Sequence, residues 1–209
     1  MKTQGLLLFG DIQGINKMIV YTKKEPLWLG KLNIEAFEDK QFLRIITFFV
    51  FHSPVDNLSA RQICLSEYGW NTPWRKPYYL NKQLKQAASN YELLFSSATF
   101  KKMDEALTKA DLISSFPSNI AKERICIYDC KNNQFMSVFF HIRNAFAHGR
   151  FDFRTLNDEE YYILEDVQKD KGDLKVSARM ILKKRTLLNW IDIFERGEKE
   201  YKKHEEIYI

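Results

Sequence analysis

The most suggestive chemical feature of this 209-residue chain is a group of three polar side chains in the otherwise apolar segment 139–149. Asn144 and His148 are four positions apart, so a helix places them on one face, and Arg143 lies one position away. A histidine, with a reference pKa of about 6.5, exchanges protons near neutral pH. A guanidinium offers a planar fork of N–H donors that matches phosphate oxygens. These groups suit metal-free RNA cleavage, in which a base helps the 2′-hydroxyl attack the adjacent phosphate and a cation stabilises the transition state.

The setting of these residues limits what they can do. An ionised side chain in a helix that otherwise looks buried needs an opposite charge, a cleft or a subunit interface. Gly149 directly follows His148, which predicts that the helix ends there with the imidazole in its exposed last turn. A more ordinary interpretation pairs Arg143 with an acid such as Asp152 or Glu165 and makes the histidine a residue favoured by the helix dipole. That interpretation explains each residue separately but not their joint placement.

Residues 143–148, Arg-Asn-Ala-Phe-Ala-His, resemble the R-x4-H signature of the HEPN superfamily in its form with Asn after the Arg. The resemblance is specific over about residues 134–150. It implies a largely helical domain that forms homodimers, so that two copies of the motif meet in one composite cleft and cut RNA without a metal. It also implies that Arg143 clamps the scissile phosphate, that His148 is the general acid or base, and that Asn144 orients one of them.

The resemblance further implies RNA products with 2′,3′-cyclic phosphate and 5′-hydroxyl ends, and it implies no cofactor. The implied partners are an RNA such as tRNA or mRNA and a nucleotidyltransferase-like antitoxin, in the setting of a toxin or an anti-phage effector. The alternative is a non-catalytic HEPN-like module that binds RNA or a protein. His148 separates the two functions, because phosphate binding can survive loss of the imidazole but proton transfer cannot.

A second candidate site is a proline-interrupted loop in which aromatic and basic side chains are mixed. Unpaired bases stack on aromatic rings, which contributes about 1–3 kcal/mol per base, and nearby cations attract phosphates. The alternative is that the tryptophans anchor the loop to the body of the protein. The predicted RNA-binding residues are Trp70, Trp74, Arg75, Lys76, Tyr78 and Tyr79.

The sequence does not favour a metal site. Cys126 and Cys130 are separated by three residues, and His141 and His148 follow. Structural zinc sites usually space cysteines as C-x2-C or C-x4-C and set their histidines closer together, so packed thiols are the better interpretation and no metal is expected. The odd number of cysteines, three, is typical of a reducing compartment. No Walker loop, G-x-G-x-x-G or H-E-x-x-H motif is present in the sequence.

Composition predicts a folded cytoplasmic protein. Hydrophobic residues make up 45% of the chain and aromatic residues 14%, and the net charge of +5 permits a polyanionic partner without requiring one. The apolar run at residues 45–51 is far shorter than the ~20 residues that a membrane-spanning helix needs. The apolar run at residues 6–9 is too short for the core of a signal peptide.

Hydrophobic spacing predicts the elements that position the motif. Helices are expected at residues 33–52, 59–66, 81–95, 103–113, 131–148 and 186–196, and a short strand at 17–22. Alternation after Gly149 predicts a hairpin that turns near residues 171–173. The predicted fold class is therefore α+β, with a mainly helical HEPN-like bundle and a small antiparallel sheet or hairpin inserted before the C-terminal helix.

Three segments of one compact domain follow from this pattern. Residues 1–32 form an extended lead-in, and residues 33–149 form the helical core that carries the motif. Residues 150–209 supply the hairpin and the C-terminal helix, which pack on that core.

Overall fold

A computed structural model describes residues 20–21, 39–55, 63–70, 78–88, 94–113, 122–131, 133–170 and 172–206. The strands are β1 (Val20–Tyr21), β2 (Leu94–Ala98), β3 (Arg124–Tyr128), β4 (Phe151–Leu156), β5 (Glu159–Asp170) and β6 (Asp173–Lys183). The α-helices are α1 (Lys40–Ile46), α2 (Tyr78–Ala87), α3 (Met103–Lys109), α4 (Gln134–Ala147) and α5 (Lys184–Glu206). Helix α1 continues directly into a π-helical segment, Thr47–His52, and short 3-10 turns occupy Leu65–Tyr68 and Phe100–Lys102.

The six strands form a single sheet at the centre of the described chain. Five of them follow the order β2-β3-β6-β5-β4, and β1 pairs with β6. Strands β2 and β3 are parallel, and every other pair is antiparallel. The hairpin of β5 and β6 pairs Asp170 with Asp173 at its turn, where the sequence predicts it. The register of this hairpin shifts between Asp166 and Val167, because β6 contributes the extra residue Ser177 there.

Apolar side chains cover both faces of the sheet. The larger core lies between one face and helices α1, α2, α4 and α5, and it includes Phe139 of α4 and Tyr162 of β5. The smaller core lies between the opposite face and α3, and it includes Leu107, Cys126 and Ile163. Alternate residues of β5 therefore point to different helices, which is the usual consequence of the two-residue period of a strand.

The prediction of a mainly helical bundle with a small added sheet is wrong. The sheet is the framework against which the helices pack, and two of its strands, β2 and β3, were not predicted. The first two residues of β2, Leu94 and Phe95, fall where a helix is predicted at 81–95, and β3 is a short strand buried on both faces. A strand buried on both faces has no polar alternation, so its pattern is easily missed.

Several predicted helices are shifted or shorter. Helix α1 starts at Lys40, where the Asp39 side chain accepts a hydrogen bond from the backbone N–H of Gln41 at 2.7 Å. Residues 33–38 of that predicted helix and residues 59–62 of the predicted helix at 59–66 lie outside the described residues. The division into segments at residues 32 and 149 stays a prediction.

The C-terminal helix α5 is interrupted at Gly197, which has a φ of +76°. A Cβ atom at this position would lie 2.6 Å from the carbonyl oxygen of Tyr68. Glycine is therefore required here both by its backbone conformation and by the close approach of the Leu65–Tyr68 turn. Within the described part of the chain, no helix combines the length and the apolar character needed to cross a membrane.

Candidate functional site

The predicted motif lies at the C-terminal end of α4. At the start of this helix the Asn133 side chain accepts hydrogen bonds from the backbone N–H groups of Phe135 and Met136. At its end, the backbone N–H of His148 donates to the carbonyl of Asn144 at 3.0 Å, and Gly149 follows with a φ of +64°. The His148 side chain is exposed. The helix end predicted from the glycine is therefore confirmed, and it presents the imidazole to solvent.

The Arg143 guanidinium is half-buried and contacts Asn144. Its Nη1 donates to the Asn144 side-chain oxygen Oδ1 at 3.1 Å. Its Nε atom is buried and has no hydrogen-bond partner among the described residues. Within those same residues no carboxylate lies within 4.0 Å of the guanidinium, so its positive charge is not neutralised by an ion pair.

The two acids considered as partners for Arg143 are bound elsewhere. Glu165 forms ion pairs with Arg150 and with Arg179, on the face of the sheet that carries α3. Asp152 forms an ion pair with Arg154 at 2.9 Å. The interpretation of Arg143 as the partner of one of these acids is therefore not supported by the structure.

Asn144 links Arg143 to a buried polar chain that the sequence did not reveal. The Nδ2 of Asn144 donates to Asp166 Oδ2 at 3.3 Å, and His141 Nδ1 lies 2.7 Å from the same oxygen. The other ring nitrogen, Nε2 of His141, lies 2.8 Å from the carbonyl oxygen of Tyr128. This polar relay, defined as Tyr128 O, His141, Asp166, Asn144 and Arg143, runs from β3 through α4 and β5 to the motif.

A signal for the relay exists in the sequence. His141 stands in the apolar part of α4, and Asp166 stands in the apolar strand β5; their side chains are 0% and 2% exposed. Titratable groups in such segments require partners, because burying an unpaired charge is costly. The pattern indicates that partners exist, but not that these two residues, 25 positions apart, are partners of each other.

The hydrogen-bond geometry favours a doubly protonated imidazole at His141. One ring nitrogen faces a carboxyl oxygen and the other faces a carbonyl oxygen, so an imidazole with a hydrogen on each nitrogen can donate to both. Burial by itself lowers the pKa of His141, but hydrogen bonds and charge interactions with Asp166 and Cys130 outweigh it and raise the pKa to about 9. The Sγ atom of Cys130 lies 3.7 Å from Nε2. The relay therefore contains a buried ion pair at neutral pH.

This ion pair predicts that stability falls at alkaline pH. An unfolded histidine has a pKa of about 6.5, whereas the pKa of His141 in the folded protein is about 9. A pKa that is raised by folding stabilises the protein fully below the unfolded value, and this contribution is lost as pH rises through the folded value. We expect about 3 kcal/mol of the free energy of unfolding to be lost between about pH 6.5 and about pH 9.

Urea unfolding of the wild type and of His141→Gln, from about pH 6 to about pH 10, measures this effect. The difference between the two proteins isolates the histidine, because both retain Glu165, whose pKa burial raises to about 7. The difference should shrink across the stated range. A difference between the two proteins that stays constant through that range would contradict the assignment.

The predicted RNA-binding cluster is corrected in part. Trp70 is 1% exposed, and its Nε1 donates to the carbonyl of Ile193 in α5 at 3.3 Å. Tyr79 is half-buried against the larger core, with its ring 6.2 Å from that of Trp70. Trp70 is thus an anchor and not a base-stacking platform, because its ring is inaccessible. The side chains of Trp74, Arg75, Lys76 and Tyr78 lie outside the described part of the structure.

The cysteines occupy three different surroundings. Cys126 is buried in the smaller core beneath α3, and Cys130 contacts His141. Cys64 is exposed and lies beside Glu67. Among the described residues, no group of three or more His, Cys, Asp or Glu side chains is arranged to hold a metal ion.

The candidate site is thus the solvent-facing end of α4. Its cationic side chain, Arg143, is hydrogen-bonded to Asn144, which connects it to the buried part of the polar relay. Comparisons of the chain with protein-family models, with curated proteins and with solved structures gave no match. The chemistry of the site itself is therefore the basis for a functional proposal.

Proposed function

We propose that this chain is a metal-independent endoribonuclease of the HEPN type, in which Arg143 binds the scissile phosphate and His148 transfers a proton. Support for the type comes from the motif helix α4 alone, since the sheet-centred fold differs from the bundle that the resemblance implies. The observation that carries the proposal is the uncompensated charge of Arg143 at the helix end that exposes His148.

The charge balance of the relay favours an anionic ligand. His141 and Asp166 neutralise each other, which leaves the positive charge of Arg143 bound only to the neutral amide of Asn144 among the described residues. The Arg143 side chain is only half-buried, so a ligand can reach its exposed part. A half-buried cation without an opposite charge favours a group with several acceptor oxygens, and a phosphodiester supplies them.

The proposed reaction is an internal transesterification. The His148 imidazole of one copy accepts the proton of the 2′-hydroxyl. The 2′-oxygen forms a bond to the adjacent phosphorus while the bond from phosphorus to the 5′-oxygen breaks. The departing oxygen takes a proton from a second acid, for which the His148 of a second copy of the chain is the candidate in a composite cleft. The guanidinium stabilises the added negative charge on the phosphorane-like transition state. The products carry 2′,3′-cyclic phosphate and 5′-hydroxyl ends.

The biological setting belongs to the same proposal. A homodimer would bring two motifs together, the substrate would be an RNA such as tRNA or mRNA, and the enzyme would act as a toxin or an anti-phage effector. A nucleotidyltransferase-like antitoxin would be the partner that restrains it. These partners rest on the motif resemblance and not on contacts in the structure.

A cleavage assay on total cellular RNA, in the presence of excess EDTA, tests the proposal. We expect fragments with 2′,3′-cyclic phosphate and 5′-hydroxyl ends, because every step uses side chains of the protein. End chemistry can be assigned by treatment with a cyclic phosphodiesterase and a kinase before sequencing. Absence of cleavage by folded, dimeric protein across varied RNAs would contradict the proposal and leave a non-catalytic binding module as the better account.

A further inference from the structure

We infer that Asp166 and His141 are positioning residues that hold Arg143 in place through Asn144. The catalytic importance of this arrangement rests on the proposed function, whereas the mechanical link between the four side chains does not. Neither Asp166 nor His141 belongs to the motif itself. Each would act on the phosphate-binding group from behind, without touching the substrate.

The first step is the orientation of the Asn144 amide. Its two ends have opposite hydrogen-bonding roles, since Oδ1 accepts and Nδ2 donates. Asp166 is an acceptor, so it fixes the Nδ2 end toward β5 at 3.3 Å and leaves Oδ1 facing Arg143 Nη1 at 3.1 Å. If the acid were removed, the amide could rotate and present its own donor to the guanidinium. The carboxylate therefore determines whether Asn144 binds or repels the arginine.

The second step is the immobilisation of Asp166. Its side chain is 2% exposed, and Oδ2 accepts from His141 Nδ1 at 2.7 Å as well as from Asn144. His141 is held in turn by the carbonyl of Tyr128 at 2.8 Å. Each ring nitrogen of the histidine is bound to a different strand, β3 or β5, so the imidazole cannot rotate without breaking a buried hydrogen bond. The acid is thus fixed by the sheet and not by solvent.

The third step is the position of the acid in the strand. Asp166 shares its face of β5 with Tyr162 and Leu164, which pack in the larger core beneath α4. The register of the β5–β6 pair changes immediately after Asp166. Bulges in antiparallel pairs locally increase twist and redirect side chains, and they are frequent beside functional sites. Here the irregularity lies next to the residue that supports the motif.

A fixed guanidinium should matter more for the transition state than for substrate binding. The charge on the phosphate oxygens grows as the phosphorane forms, and donors that are already oriented need no reorganisation at that moment. Without Asp166 the arginine still attracts RNA but samples several orientations. We therefore expect Asp166→Ala to lower kcat by about 10- to 100-fold while KM changes by less than about threefold.

The experiment combines kinetics with a direct measurement of Arg143. Nitrogen-15 relaxation of the Arg143 guanidinium reports its mobility in the full-length protein, whether or not RNA is cleaved. Three variants are compared with the wild type: Asp166→Ala, Asp166→Asn, which retains one acceptor oxygen, and Asn144→Ala, which leaves the buried ion pair intact. Ile163→Ala is the matched control, since it removes buried apolar atoms from the opposite face of the same strand.

The expected result is greater mobility of Arg143 and lower kcat in Asp166→Ala and in Asn144→Ala. Asp166→Asn should lie between them and the wild type, and Ile163→Ala should change neither readout. If Asp166→Ala does not fold, Asp166→Asn and Asn144→Ala test the same link. The intermediate behaviour of the conservative variant would not be expected of a residue that serves stability alone.

The outcomes separate the inference from the proposed function. Unchanged mobility of Arg143 in both Asp166 variants would overturn the inference, whatever happens to cleavage. Increased mobility with unchanged kcat would overturn its catalytic part. If the wild type cuts no RNA but Arg143 becomes mobile in Asp166→Ala, the proposed function fails and the positioning link stands.

Discussion

Replacement of His148 by alanine should lower metal-free RNA cleavage by at least about 100-fold, because general acid–base catalysis typically contributes that much or more. RNA affinity should change by less than about threefold, since phosphate binding is assigned to the Arg143 guanidinium. Arg143→Ala should reduce both cleavage and affinity. Single-turnover cleavage in EDTA gives the rate, and fluorescence anisotropy with a 2′-deoxy analogue, which lacks the attacking hydroxyl, gives the affinity.

His52→Ala is the matched control for this experiment. His52 is half-buried at the end of the Thr47–His52 segment, and its backbone carbonyl accepts the hydrogen bond from Tyr68. Loss of its imidazole should leave cleavage unchanged, since the backbone contact survives. Cleavage by His148→Ala at a rate close to that of the wild type would remove the histidine from the mechanism. Equal loss of affinity and cleavage in that variant would favour a binding role.

Replacement of Arg179 by methionine should lower the free energy of unfolding by about 3–5 kcal/mol. Arg179 is 2% exposed, and its guanidinium donates to Glu165 Oε2 at 3.0 Å and to the carbonyls of Leu112 and Ile113 at 2.7 and 2.8 Å. Burial lowers the pKa of Arg179 to about 9 and raises that of Glu165 to about 7. Both shifts show that burial opposes the charged forms. Replacing Arg179 leaves Arg150 as the remaining ion-pair partner of Glu165 and removes the donor to the two carbonyls.

Urea unfolding of this variant should be compared with two others. Glu165→Met combined with Arg179→Met should recover only part of the loss, because the two methionines carry no buried charge but Arg150 then loses its carboxylate partner. Recovery should be incomplete, since the two carbonyls still lack their donor. Lys109→Ala, which breaks an exposed pair with Glu105, should have a much smaller effect than Arg179→Met, because solvent screens an exposed ion pair. A loss for Arg179→Met as small as that for Lys109→Ala would contradict a stabilising role of the buried Arg179 contacts.

The motif helix was the most predictable part of the molecule. Its apolar run, its polar residues at four-residue spacing and its terminal glycine are local signals, and each has a direct structural cause. The hairpin of β5 and β6 is equally local, because strands joined by a short turn pair with each other. These features needed no knowledge of distant segments.

The rest depends on contacts between distant segments. Strand β3 pairs with β6, and that pairing makes the sheet the framework of the fold, yet 44 residues lie between Tyr128, where β3 ends, and Asp173, where β6 begins. The His141–Asp166 pair has the same origin, since it forms only when α4 packs across β5. Trp70 was predicted to bind RNA from the composition of its loop. Its indole instead packs in the core, because it contacts α5, a distant segment of the chain.

The order of the strands also affects how the protein is made. Of the described strands β6 comes last in the chain, yet it lies between β3 and β5. A nascent chain that has not yet reached Asp173 therefore contains two strand pairs, β2 with β3 and β4 with β5. It still lacks β6, the strand that pairs with both β3 and β5. Translation proceeds at roughly 5–20 residues per second, so the motif leaves the ribosome seconds before the strand that completes the framework behind it. For an enzyme that cuts RNA, this delay would separate the synthesis of the motif from the onset of activity and spare the ribosome that produces it.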